Sequence, residues 1–110
     1  MNEKYFNTEN GTVYYWHTNI VPNRKTLFFL HGLTANHTMF DKQIEFFKDQ
    51  YNVIVWDAPA HGKSRPYVDF SYERAVDAML RILKDLQLKS VVLVGQSMGV
   101  YGTIFYGKIS

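Results

Sequence analysis

The chain has 110 residues, of which 46% are hydrophobic, 16% aromatic and 20% charged, a length that suits one small domain or part of a larger one. Its 12 Lys and Arg and 10 Asp and Glu are scattered and give a net charge of +2, so we expect no nucleic-acid partner. The absence of Cys excludes disulfides and thiolate chemistry. No apolar run has the length of a membrane span and no signal pattern opens the chain, so we expect a cytoplasmic protein.

Five segments have the composition of β-strands. Residues 4–7 and 12–18 are rich in aromatic and β-branched residues, and Asn10-Gly11 between them favours a tight hairpin turn. Residues 26–30, 52–56 and 90–94 are apolar at successive positions, which is typical of strands covered on both faces in a parallel sheet.

Two segments between these strands carry apolar residues at spacings of three or four, which predicts helices. The first set is Met39, Phe40, Ile44 and Phe47, and the second is Tyr72, Ala75, Met79, Leu83 and Leu86. Thr38 and Ser71 are the predicted N-caps. Two strands followed by strand, helix, strand, helix and strand predict an α/β fold: an N-terminal hairpin, then a mainly parallel sheet with helices on both faces.

The clearest chemical motif is the G-x-S-x-G pattern formed by Gly95, Gln96, Ser97, Met98 and Gly99. It follows an apolar strand and precedes a helical pattern, which is the context expected of a serine nucleophile on a sharp strand-to-helix turn. The glycines relieve steric conflict at such a turn. The N–H group of Met98, at the start of the helix, faces the position where an oxyanion develops.

Two further motifs follow the preceding strands. His31 and Gly32 close the strand 26–30, and the turn they form exposes the N–H group of Leu33 as a second oxyanion donor. The segment 57–64, which contains Asp57 and His61, follows the strand 52–56.

These three motifs, in this order, resemble the N-terminal half of an α/β-hydrolase-fold protein, and the resemblance covers residues 1–110 as one partial domain: strands one to five and the start of the helix after the nucleophile. It implies Ser97 as nucleophile, Leu33 and Met98 as backbone oxyanion donors, and acyl transfer from a small ester or thioester through an acyl-serine, with no cofactor. Many members read D-x-R-G-H-G-x-S where this chain has Pro59 and Ala60, so the subfamily is left open.

The acid and base of a catalytic triad do not follow Ser97 in this sequence, because no Asp, Glu or His occurs after it. The family order places both after the serine. One hypothesis makes Asp57 and His31 a substitute pair, because the family's strand order brings both to the edge that holds Ser97. The preferred interpretation is that His31 fastens the loop, Asp57 caps backbone N–H groups, and His61 is an ordinary loop residue. His17 and His37 indicate no metal site.

Three functions therefore stand side by side. The first is a serine hydrolase, which we do not expect to be competent as these 110 residues alone. The second is a non-catalytic truncated or split fragment that needs a complementing chain or self-associates through the apolar strand 90–94, exposed as an edge. The third is an anion-binding module that uses the helix N-terminus after Gly95.

Overall fold

The computed structural model describes residues 1–32 and 35–96. The strands are β1 (Asn2–Asn7), β2 (Thr12–His17), β3 (Thr26–Leu30), β4 (Asn52–Asp57) and β5 (Val92–Gly95). The helices are a 3₁₀ helix (His37–Phe40), α1 (Asp41–Phe47) and α2 (Tyr72–Asp85). The predicted strands and helices within these ranges are confirmed to within a few residues at their ends.

The five strands form one mixed sheet in the order β1-β2-β4-β3-β5. The pairs β1–β2 and β2–β4 are antiparallel, whereas β3 is parallel to both β4 and β5. The hairpin thus extends a parallel centre, which confirms the predicted α/β class. The inferred position of β3 between β4 and β5 is also confirmed.

The sheet separates two apolar cores. On one face, Phe28, Ile54 and Trp56 pack with residues of α2 such as Met79 and Ile82. On the other face lies a second cluster, in which Phe29, Val53 and Val55 pack with Phe40 and Ile44. Every residue of β3 and β4 is buried, as the continuous apolar runs predict.

The last strand differs from this pattern. Val92 and Val94 of β5 are 49% and 36% exposed, whereas Leu93 between them packs against the core on the α2 face. Within the described residues β5 lies at one edge of the sheet. Within the described part of the chain, the prediction that this strand is covered on both faces is therefore wrong. The reason is that α1 packs over β3 and β4 and does not cover β5.

One of the two predicted helix N-caps is confirmed and the other is wrong. Ser71 caps α2, since its Oγ accepts a hydrogen bond of 3.1 Å from the Arg74 N–H. The predicted cap Thr38 is wrong: Asn36 caps the 3₁₀ helix by accepting from the Thr38 N–H at 2.9 Å. A 3₁₀ helix has about three residues per turn. This tighter winding puts Met39 outside the predicted apolar stripe, at 37% exposed.

The carboxyl ends of the three parallel strands meet at one edge of the sheet. There β3 leads into His31, β4 ends at Asp57, and β5 ends at Gly95. Leu33 and the helix predicted after Ser97 lie outside the described residues. In the described part of the chain, neither α1 nor α2 has the length and apolar character needed to cross a bilayer.

Candidate active site

The pairing of β3 with β5 brings the two predicted oxyanion segments to neighbouring starting points. Leu30 pairs with Gly95, and the Gln96 N–H donates to the Leu30 carbonyl at 3.1 Å. The chain that continues to Ser97 therefore leaves the sheet beside the chain that continues to His31 and Gly32. Four predicted site residues lie outside the described residues: Leu33, Ser97, Met98 and Gly99.

His31 joins the ends of β3 and β4. Its side chain is buried, with Nδ1 at 2.8 Å from the Gly32 carbonyl oxygen and Nε2 at 2.9 Å from the Ala58 nitrogen. The Ala58 N–H donates, so Nε2 accepts and the ring proton is on Nδ1. Burial lowers the pKa of His31, which keeps the ring neutral. His31 thus joins the ends of β3 and β4 through its hydrogen bonds, which is the loop-holding role that the preferred interpretation gives it.

Asp57 caps backbone N–H groups from two loops. Its side chain is 1% exposed; Oδ1 accepts from the His37 N–H at 2.8 Å, and Oδ2 accepts from the Lys63 N–H at 2.8 Å. Oδ1 also lies 2.7 Å from Nδ1 of His37. Among the described residues no hydrogen bond joins Asp57 to His31. The hypothesis of an Asp57–His31 catalytic pair is therefore wrong, because both side chains are already committed to other groups.

The segment 57–64 forms a closed loop around the Asp57 carboxylate. Ser64 Oγ donates to the Asp57 carbonyl at 2.5 Å and accepts from the Tyr14 N–H at 2.9 Å. Gly62 has φ +48°, and a Cβ atom there would overlap the Asp57 carboxylate. Asp57, Gly62 and Ser64 together stabilise the conformation of this loop. This is a structural reason for their spacing in the sequence.

His61 lies in the same loop and is partly buried. Its Nδ1 is 3.1 Å from the Pro59 carbonyl oxygen, and its ring centroid is 5.1 Å from that of His31. The Phe70 ring lies edge-on to the His61 ring, with 6.3 Å between their centroids. These contacts place His61 at the sheet edge as part of the loop packing.

Sequence reasoning missed the role of His37. Besides donating to Asp57, its ring stacks on Trp16 with 3.6 Å between centroids. Trp16 Nε1 donates to Glu3 at 3.1 Å, and Glu3 pairs with Lys63 at 2.9 Å. The hydrogen bond from Lys63 lowers the pKa of Glu3. His37 and Asp57 are twenty residues apart, and no local periodicity signals their contact.

The described part of the chain contains no candidate set of metal ligands. No group of three or more His, Asp or Glu side chains gathers there with the arrangement of metal ligands.

Comparison with known proteins shows the family of this chain. The sequence pattern of the alpha/beta hydrolase fold matches residues 25–101, which include the His31 turn, the Asp57 loop and the Ser97 motif. The chain belongs to the alpha/beta hydrolase fold family. Its solved neighbours agree: MGS-M2, an alpha/beta hydrolase from a deep-sea metagenome library, superposes with a TM-score of 0.86 at 18% identity. That match covers 96% of this chain and 39% of MGS-M2.

Two relatives by sequence have names that describe hydrolytic enzymes. The uncharacterized hydrolase YugF of Bacillus subtilis is 37% identical over 86% of this chain and 35% of its own length. The 3-oxoadipate enol-lactonase 2 of Acinetobacter baylyi is 32% identical over 70% of this chain and 29% of its own length. The chain thus spans about a third of the length of these curated relatives.

Proposed function

We propose that this chain carries the nucleophile and the oxyanion donors of a cytoplasmic serine hydrolase that acts on a carboxylic ester or thioester. In this proposal Ser97 attacks the acyl carbon and the alcohol or thiol leaves, which gives an acyl-serine that water later hydrolyses. The N–H groups of Leu33 and Met98 stabilise the oxyanion. The substrate is a small molecule.

One observation carries the proposal: the hydrogen bond from the Gln96 N–H to the Leu30 carbonyl. It extends the β3–β5 pairing to the residue directly before Ser97. An oxyanion hole needs donors from two chain segments that converge within hydrogen-bonding distance of one oxygen atom. Adjacent parallel strands that end at the same level supply such a pair of segments.

The proposal needs a base, which His31 and Asp57 do not supply. His31 uses both ring nitrogens, and Asp57 uses both carboxylate oxygens. His37, which holds Asp57, stacks on β2, which β4 and β3 separate from β5. Its Nδ1 is held by Asp57 and its ring face is covered by Trp16. We therefore expect acylation without sustained turnover from these 110 residues alone.

The names of two relatives bear on the substrate. One relative is a 3-oxoadipate enol-lactonase, whose name describes hydrolysis of an internal ester, and another is a (E)-2-((N-methylformamido)methylene)succinate hydrolase. Both names describe substrates derived from dicarboxylic acids. The lactonase name supports an ester-like substrate for this chain, and neither name fixes its acyl group.

The test is the reaction of the chain with an activated aryl ester and the matching aryl thioester, followed by release of the leaving group and by intact mass. We expect one acyl group per chain, lost in Ser97→Ala and kept in Ser90→Ala, which removes an exposed serine just before β5. An acyl group that persists in Ser97→Ala would overturn the proposal.

A second candidate function is a non-catalytic chain that associates with a second copy of itself. The observation that favours it is the exposure of Val92 and Val94 on β5, which lies at an edge of the described sheet. An apolar edge strand presents unpaired backbone groups that pair readily with another strand.

A further inference from the structure

A groove opens at the carboxyl ends of β3 and β4, beside the candidate active site. It has a volume of about 300 Å³ and is lined by Ala35, Asn36, Ala60, His61, Gly62 and Arg65. Open α/β sheets bind ligands outside the carboxyl ends of their strands, so its position suits a ligand. Ala35 and Asn36 lie on one side of the groove, and residues 60–62 and Arg65 lie on the other.

The groove lining offers hydrogen-bond donors that have no acceptor within the described ranges. Asn36 uses its Oδ1 to accept from Thr38, which leaves its amide NH₂ group without a partner there. The backbone N–H groups of Asn36 and Gly62 also have none among residues 1–32 and 35–96. Three N–H sources on two facing loops therefore border one space.

Arg65 brings a positive charge to the described lining of the groove. Arg65 donates from Nε to the Gly62 carbonyl at 3.1 Å, which holds the side chain along the groove and leaves the terminal NH₂ groups available. Arg65 takes part in none of the ion pairs of the described residues, whereas the neighbouring Lys63 is paired with Glu3. None of the described residues that line the groove carries a carboxylate. Asp57 lies behind Gly62, and both its oxygens accept hydrogen bonds from other groups.

We propose that this groove binds a carboxylate, held by the Arg65 guanidinium and by the N–H groups of Asn36 and Gly62. A guanidinium presents two parallel N–H bonds that match the two oxygens of a carboxylate. Next to the predicted nucleophile, such a site selects an ester substrate that carries a second, free carboxylate. Only this assignment of the ligand as a substrate rests on the proposed function; carboxylate binding itself does not.

The experiment is a titration of the 110-residue chain with succinate, followed by the backbone N–H signals of Asn36 and Gly62 in ¹H–¹⁵N spectra. We expect saturable shifts of both signals. Arg65→Gln weakens binding about tenfold, the loss typical of one charge-assisted hydrogen-bonded contact. Arg24→Gln is the matched control, because Arg24 is also exposed and without an ion pair in the described part but precedes β3, at the opposite edge of the sheet.

Two comparison ligands complete the design. Succinamide has the size of succinate without its charge, and inorganic phosphate is an anion of different shape. The proposal is overturned if succinamide binds as well as succinate, if phosphate binds as tightly as succinate, or if Arg24→Gln weakens binding as much as Arg65→Gln. The absence of saturable shifts overturns it as well. Because this titration needs no reaction at Ser97, its failure is distinct from a failure of the hydrolase proposal.

Discussion

His37 donates twice to a single oxygen of Asp57: its backbone N–H lies 2.8 Å and its Nδ1 2.7 Å from Oδ1. Through this contact the start of the 3₁₀ helix is joined to the end of β4, and the other oxygen of Asp57 accepts from Lys63 in the loop 57–64. The two sides of the groove thus depend on one buried carboxylate.

Replacement of Asp57 tests this dependence. Asp57→Asn keeps the shape but removes the charge and turns one acceptor into a donor that opposes an N–H group. We expect the free energy of unfolding to fall by roughly 2 to 4 kcal/mol, since hydrogen bonds to buried charged groups are strong and a mismatched pair is costly. Urea unfolding measures the change. Asp49→Asn, on the exposed side of the chain, should change it by less than about 0.5 kcal/mol; equal effects would contradict the role given to Asp57.

A pair of substitutions tests the backbone of the loop 57–64. Gly62 and Ala60 both have left-handed backbones, with φ of +48° and +73°. Gly62→Ala places a Cβ against the Asp57 carboxylate, so we expect destabilisation of roughly 1 to 3 kcal/mol. Ala60→Gly removes a strained Cβ and should raise stability by up to about 1 kcal/mol. Thermal unfolding of both variants gives the comparison, and a stabilised Gly62→Ala would refute the close packing.

The pH dependence of stability follows from buried His31. Burial lowers its pKa in the folded chain below the ordinary 6.5, so below that pH the unfolded chain binds more protons. The contribution of neutral His31 to stability is therefore complete above pH 6.5 and is lost as the pH falls toward the folded pKa. In NMR spectra the ring signals assigned by their loss in His31→Gln should stay at neutral-form positions through that pH. Titration of His31 at 6.5 or above would contradict its burial between Gly32 and Ala58.

The exposed face of β5 gives a prediction about association. We expect the chain to self-associate with rising concentration in sedimentation velocity experiments. Val92→Lys should weaken this association, because a charged residue on an edge strand opposes pairing. Val68→Lys is the control: Val68 is 59% exposed but lies in a loop. A wild-type chain that stays monomeric throughout the concentration range would remove the second candidate function.

The strands were predictable because their signal is local, and the sheet edge was predictable because the resemblance implies the strand order. The uninterrupted apolar runs of β3 and β4 identify strands buried on both faces, and the family's strand order places His31 and Asp57 at one edge. The cap at Asn36 was not predictable from helical spacing, because the segment winds as a 3₁₀ helix before α1. The exposure of Val92 depends on where α1 packs, which is a property of the whole sheet.

The contacts of the site were harder to predict than its location. The sequence indicates that an Asp after a strand caps N–H groups. Its partner His37 lies twenty residues earlier and also stacks on Trp16, and no local pattern signals either contact. The oxyanion donors Leu33 and Met98, the nucleophile Ser97 and the cytoplasmic location stay predictions.

Labelling with a fluorophosphonate probe tests the central claim most directly, because this reagent requires only attack by the serine and no turnover. Serine proteases with a missing triad residue keep about 10³-fold to 10⁴-fold catalysis over water through their oxyanion hole and binding. We predict slow addition of a single label, mapped to Ser97 by peptide mass spectrometry, absent in Ser97→Ala and unchanged in Ser90→Ala. A folded chain that takes up no label, or one labelled equally in Ser97→Ala, would contradict the assignment of Ser97 as the nucleophile.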